Sequence, residues 1–247
     1  MLPTPGETVA NDQEKEAAAR ASLRFVRDGQ IVGLGTGSTA AYFIQLLGDA
    51  VKNGLRVRGI PSSVRSREQA ASLGIPLTTL DECQEIDVTV DGADEVDPEL
   101  RLIKGGGGAL LREKIVASAT KQLVIVADAT KRVPVLGRFP LPVEVIKFAQ
   151  AVVVKKIEAL GAKVSVRREA EGRPYLTDEN NHILDCRFEQ IWDADRLARQ
   201  LSDMPGVVEH GLFIGMASVV LVANGSEIVE LWRADGTGNK NLNRGGR

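Results

Sequence analysis

Histidine and cysteine are scarce in this chain of 247 residues, which has two of each. Cys83 and Cys186 stand far apart and form no CxxC pair, so neither a disulfide framework nor a zinc site is indicated. With only His182 and His210 available, a histidine-rich metal centre is excluded and acid–base chemistry falls to carboxylates. Aromatic residues make up 4% of the chain, and no apolar run is long enough to span a bilayer. Strong charge of either sign is lacking too. The 31 basic and 33 acidic residues leave a net charge of −2, which argues against a nucleic-acid binder or a partner of anionic membranes. No secretory apolar region stands at the start, so a cytoplasmic location is expected.

What is present is a foldable core. Hydrophobic residues form 43% of the sequence, enough to exclude a disordered chain. Residues 1–13 are polar and proline-containing and read as a loose tail, and 235–247, rich in Gly, Asn and Arg, as a disordered one. Between them, apolar spacing predicts helices over 13–27, 40–51, 65–73 and 110–119. Strands are predicted over 31–34, 56–60, 86–90 and 123–127. Strands alternating with helices imply a parallel sheet covered on both faces.

The rhythm changes after Asp128, where Pro134, Pro140 and Pro142 punctuate the chain. Strand 143–146, helix 149–160, strands 163–167 and 183–188, helix 193–202 and strand 207–213 follow. That order, β-α-β-β-α-β, is ferredoxin-like. Two last strands, 218–222 and 227–231, are expected to return to the first sheet. The expected fold is therefore α/β: a Rossmann-like, mostly parallel sheet domain (1–136 plus 209–247) with a second, smaller ferredoxin-like α+β domain (137–208).

Two glycine-rich stretches carry the chemical signal. The first is Gly33-Leu34-Gly35-Thr36-Gly37-Ser38-Thr39, between a strand and a helix. Glycines permit close backbone approach, the helix start offers free N–H groups, and three hydroxyls add donors, a combination suited to an anion. A dinucleotide fingerprint needs glycine where Ser38 stands, and a nucleotide P-loop needs a lysine that is missing. A monophosphate fits better than either. Without a ligand, the stretch is a glycine-rich turn.

The second stretch runs from Asp91 to Glu113. Asp91-Gly92-Ala93-Asp94 begins where a buried strand ends, the edge at which α/β sheets bind ligands. Glu95 and Asp97 add negative charge. Lys104 then opens a run of four glycines, Gly105 to Gly108, ahead of a helix bearing Arg112, Glu113 and Lys114. Four glycines are costly to order, and consecutive N–H groups form a nest for oxyanions. The plain alternatives are an Asp-rich turn and an exposed helical Glu113. Taken together, a carboxylate, a lysine and a nest suit proton transfer between carbons beside a carbonyl, with an enediolate to stabilise.

These motifs resemble the A type of ribose-5-phosphate isomerase. The matching segments are GLGTGSTA (33–40), VDGADEVD (90–97), KGGGGALLREKIVAS (104–118), VADATK (126–131) and FPLPVEV (139–145). The resemblance covers about 13–231. It implies interconversion of D-ribose 5-phosphate and D-ribulose 5-phosphate in the pentose phosphate pathway, with no metal and no organic cofactor. By position, it implies Glu113 as the proton acceptor. Lys104, with Gly105, Gly106 and Gly107, would stabilise the enediolate. Asp91 and Asp94, with Gly92 and Ala93, would bind hydroxyls and open the sugar ring. Thr36, Gly37, Ser38 and Thr39, with Lys15 and Lys131, would hold the phosphate end. A homo-oligomer, dimer or tetramer, is implied as well. The family often has alanine after its third glycine; Gly108 departs from that and would loosen the loop. The Ser-rich stretch 61–66 matches less tightly and is assigned no role. A non-catalytic sugar-phosphate sensor would need a DNA-binding module, for which the N-terminal helix is too short and the tail not long enough.

Overall fold

The computed structural model describes residues 5–225 and 227–233, with 5–10 as backbone path alone. Tail 235–247 lies outside the described residues. The central sheet contains β1 (Ile31–Leu34), β2 (Arg58–Pro61), β3 (Ile86–Gly92), β6 (Thr120–Asp128), β12 (Val219–Asn224) and β13 (Glu227–Trp232). Their order is β13-β12-β6-β3-β1-β2, parallel throughout except for the edge strand β13. The last two strands thus do return to the first sheet.

Alternation along the strands feeds two cores. Val124 and Val126 of β6 pack with Phe43, Ile44 and Leu47 of α2 (Ser38–Lys52), and with Ala18 and Ala19 of α1 (Pro5–Ser22). Leu123 and Ile125 point the other way, toward Leu102, Phe213 and Ala117 of α4 (Leu110–Ser118). Strands buried on both faces explain the continuous apolar runs read in the sequence. α3 (Val64–Ser72) is capped by Ser63, whose hydroxyl accepts from the Ser66 N–H in a capping box.

The second sheet joins β7 (Leu141–Val145), β8 (Lys163–Val166), β9 (His182–Arg187) and β10 (Val207–His210) in the antiparallel order β10-β7-β9-β8. Helices α5 (Gln150–Ala159) and α6 (Ala194–Ser202) complete the expected β-α-β-β-α-β order.

Four expectations are corrected. The polar start is not wholly a loose tail: among the described residues α1 already runs from Pro5. The helix also ends sooner than 27, at Ser22. Asp91 and Gly92 belong to β3 rather than to the turn after it. Finally, 207–213 is not one strand. Gly211 interrupts it, and β11 (Leu212–Phe213) joins β4 (Glu95–Val96) and β5 (Leu102–Ile103) in a third sheet, order β11-β5-β4. Two-residue strands carry no readable periodicity, so the sequence could not announce this sheet.

Candidate active site

Strand order reverses sense between β1 and β3, because β2 follows on one side and β6 on the other. The loops leaving these neighbours diverge there and open a crevice at their carboxyl ends. The Gly35 N–H donates to Val90 O (3.0 Å), binding the first glycine loop to the end of β3. A cleft of about 150 Å³ lies at this point. Its walls are Lys15, Thr36, Gly37, Ser38, Thr39, Gly92, Ala93, Asp94, Lys104, Gly105, Gly106, Gly107, Glu113 and Lys131, together with Asn11 and Asp128. Residues from four of the five sequence motifs, and from the first helix, thus meet around one cavity.

Asp91 is the exception among the expected residues, since it does not line the cleft. It lies behind it, 2% exposed, and both oxygens are taken. Oδ1 accepts from the N–H groups of Thr36 (3.0 Å) and Gly92 (2.8 Å), and Oδ2 sits 2.9 Å from Lys104 Nζ. Its position inside β3 is the reason: the buried strand carries the side chain under the loops instead of out to the ligand edge.

Lys104 follows β5, and its N–H donates to Gly211 O (2.9 Å). The ammonium reaches Gly92 O (2.6 Å), Asp91 Oδ2 (2.9 Å) and Glu113 Oε1 (3.3 Å). Burial by itself would push this lysine down. Asp91 and Glu113 outweigh that and hold it well above the usual lysine range, so it stays charged. Glu113 is buried because α4 turns Leu110, Glu113, Val116 and Ala117 to one face. Burial, helped by Asp91 and Asp94 and opposed by Lys104, raises its carboxyl to about 8. Its second oxygen, Oε2, has no protein partner. A carboxylate poised near neutrality, with one free oxygen beside a fixed cation, can accept and return a proton.

The remaining acids separate by function. Asp94 faces the cleft, accepts from the Gly106 N–H (2.7 Å), and is raised by burial. A Cβ on Gly106 would fall 2.5 Å from Asp94 Oδ1, so this contact requires glycine. Glu95 instead accepts from the N–H groups of Gly137 (2.7 Å) and Phe139 (2.6 Å), fastening the link into the second sheet. Asp97 accepts from the Arg101 N–H and side chain within its own turn.

At the other end of the cleft, α2 begins at Ser38 with Gly37 as its cap. The amides of its first turn and the ammoniums of Lys15 and Lys131 make this end cationic. The Thr36 hydroxyl is not free for a ligand. It bonds Ser62 Oγ (2.9 Å) and Ser63 Oγ (2.8 Å). The serine stretch given no role thus props the first glycine loop from behind. Asn11 and Asp128 were missed by sequence reasoning. Asp128 Oδ1 accepts from the Thr130 N–H (3.0 Å), whereas Asp128 Oδ2 and Asn11 Oδ1 are buried without a protein partner. The one available signal was Asp128's place at the carboxyl end of a predicted buried strand.

Among the described residues, no cluster of three His, Cys, Asp or Glu side chains is arranged to hold a metal, and no helix is long and apolar enough to cross a membrane. Fold and site together define an α/β enzyme built to hold a small phosphorylated molecule and move a proton on it. The sequence model of the family described as Ribose 5-phosphate isomerase A (phosphoriboisomerase A) matches residues 58–227. Ribose-5-phosphate isomerase A of Parvibaculum lavamentivorans is 52% identical over 229 residues, covering 90% of this chain and 99% of that protein. The protein of that name from Synechococcus sp. is 52% identical over 225 residues, 90% of this chain and 97% of its own. A structure of D-ribose-5-phosphate isomerase in complex with phospho-erythronic acid superposes with a TM-score of 0.88 at 38% identity, covering 90% of this chain and 99% of that one. For ribose 5-phosphate isomerase A of Methanocaldococcus jannaschii the TM-score is 0.86 at 40% identity, with the same coverages. The chain belongs to the ribose 5-phosphate isomerase A family, isomerases that interconvert ribose 5-phosphate and ribulose 5-phosphate.

Proposed function

We propose that this chain interconverts D-ribose 5-phosphate and D-ribulose 5-phosphate through an enediolate, with Glu113 as the base. The observation that carries this reading is the buried Glu113 carboxyl, raised to about 8, with Oε2 unpartnered at the cleft and Oε1 against Lys104. In the forward direction Glu113 takes the proton from C2 of the open-chain aldose. The C2–H electron pair forms the C1–C2 double bond, and the carbonyl pair moves onto O1. The same carboxyl returns the proton to C1, while the hydroxyl proton passes from O2 to O1. Lys104 and the amides of the second glycine loop stabilise the oxygen that gains charge. Asp94 handles sugar hydroxyls and ring opening. Asp91 acts through Lys104, which it holds in place, rather than on the sugar. Lys15, Lys131 and the start of α2 take the phosphate.

The scheme uses no metal and no organic cofactor, and it belongs in the cytoplasm, in a homo-oligomer. The test is a coupled assay of ribose 5-phosphate isomerisation with a chelator present, on the wild type and on Glu113→Gln. The wild type should turn over undiminished by the chelator. Glu113→Gln should lose about 10³-fold or more in kcat, with KM within about threefold. A variant working at near-wild-type rate would remove Glu113 from the role.

A further inference from the structure

We propose that Arg167 is a positioning residue for this reaction: from the antiparallel sheet, it sets the direction of the glycine-loop amides that meet the enediolate. The inference rests on the isomerase reading above. Arg167 directly follows β8, and its N–H donates to Ile183 O (2.8 Å). Its guanidinium is mostly buried and doubly bonded to Asp185, through Nε to Oδ2 (3.0 Å) and Nη2 to Oδ1. That fork–fork pair fixes the plane of the group. The remaining Nη1 crosses to the other sheet's loop and donates to Gly105 O (2.8 Å) and Gly106 O (3.1 Å).

A trans peptide unit is planar, with C=O and N–H pointing in opposite directions. Holding the Gly105 carbonyl therefore aims the Gly106 N–H, which donates to Asp94 Oδ2 (2.7 Å). Holding the Gly106 carbonyl aims the Gly107 N–H away from the guanidinium. Gly107 lines the cleft, and among the described residues no protein acceptor takes its N–H. Four consecutive glycines have no side chains to restrict these planes; inside the loop the Gly108 N–H donates to Gly105 O (3.0 Å), and the Gly106 carbonyl takes its restraint from outside the loop. Arg167 provides it, and its charge polarises both peptide units toward stronger donation.

Gly108, which the sequence marks as loosening the run, is covered by Tyr175, whose N–H donates to Arg167 O (2.9 Å). It has φ +85°, and a Cβ there would fall 2.2 Å from the Tyr175 hydroxyl oxygen. The loop is therefore held by hydrogen bonds from Arg167 at Gly105 and Gly106 and packed against by Tyr175 at Gly108. A lysine at 167 would supply charge but not a planar group that serves a carboxylate and two carbonyls at once.

The test compares Arg167→Met and Arg167→Lys with the wild-type chain. It measures kcat and KM for ribose 5-phosphate and inhibition by phospho-erythronic acid, a sugar-acid phosphate whose carboxylate carries negative charge as an enediolate does. Arg167→Met should lower kcat by about 100-fold, keep KM within about threefold, and weaken the inhibitor at least about tenfold. Arg167→Lys should recover less than about a tenth of the lost kcat. Should Arg167→Met fail to fold, Arg167→Lys and Asp185→Asn are judged by the same split between kcat and KM. Loss through KM alone, an unchanged inhibition constant, or full rescue by lysine would overturn the positioning role. A wild type that does not isomerise ribose 5-phosphate would instead sink the isomerase reading itself.

Discussion

Lys104 and Lys114 stand ten residues apart, both have largely buried side chains, and both lie over the ring of Phe213, at 5.3 and 4.9 Å from its centroid. Their electrostatics are opposed. Lys104 has two carboxylates within reach and is held above the usual lysine range. Lys114 has one, Glu209 (2.6 Å), and otherwise His210 O (2.6 Å) and the His210 ring (3.3 Å). For Lys114 burial wins, and its ammonium is pushed down. One additional carboxylate separates a permanently charged group at the cleft from a structural tie between α4 and β10. Burial alone therefore does not mark the functional lysine; the count of opposing charges does.

The sharpest way to break this comparison is Lys104→Met. It should lower kcat by about 10²- to 10³-fold, as loss of an oxyanion donor does. It also removes the charge that holds Glu113 down. For the wild type, kcat/KM should rise with pH toward about 8 and then level off, because the base works only when ionised. In Lys104→Met that limb should move to higher pH. A profile left in place would show that the two groups are not electrostatically linked.

Lys114→Met should do the reverse. Turnover should stay within about threefold of wild type, while stability to urea falls by about 2 kcal/mol, the cost of stranding Glu209 and the His210 carbonyl. A loss of kcat approaching that of Lys104→Met would erase the distinction.

The smallest expected effect concerns His210, whose ring also meets Ser202 Oγ (3.1 Å). Burial first, and then Lys114, lower it from 6.5 to about 4. The folded form thus binds fewer protons than the unfolded one between those values. The stability this contributes is complete above pH 6.5 and is lost as pH falls toward 4. Between pH 7 and 4.5 the loss should be about 2 kcal/mol. His210→Gln should flatten it, which urea midpoints at pH 7 and 4.5 would reveal; an unchanged slope would place the acid sensitivity elsewhere.

Much of this molecule was legible before any coordinates. Long periodic segments such as 40–51 and the strand at 123–127 were readable because burial on one or both faces leaves a pattern in the residues themselves. The two glycine loops were readable because glycine and free amides are local chemistry. Short or shared features were not. The three-stranded sheet that presents Lys104 is made of pairs of residues 95–96, 102–103 and 212–213. Ser62 and Ser63 look like an ordinary polar turn until Thr36 is seen to rest on them. Asp91 and Asp94, three residues apart, look equivalent in sequence, yet one lies behind the cleft and the other in it.

By itself, then, the sequence determined which chemical groups exist and which backbone each sits on: an anion loop before α2, an acid pair at the end of β3, and a lysine and glutamate flanking four glycines. Tertiary structure alone decided how those groups divide the work. Distances between segments far apart in the chain are set by packing, and protonation is set by the burial and neighbouring charge that packing creates. Under the mechanism proposed above, that is why Glu113 is the base, Asp91 a support, Lys114 a tie, and Arg167, in a segment with no motif, the guide of the glycine loop.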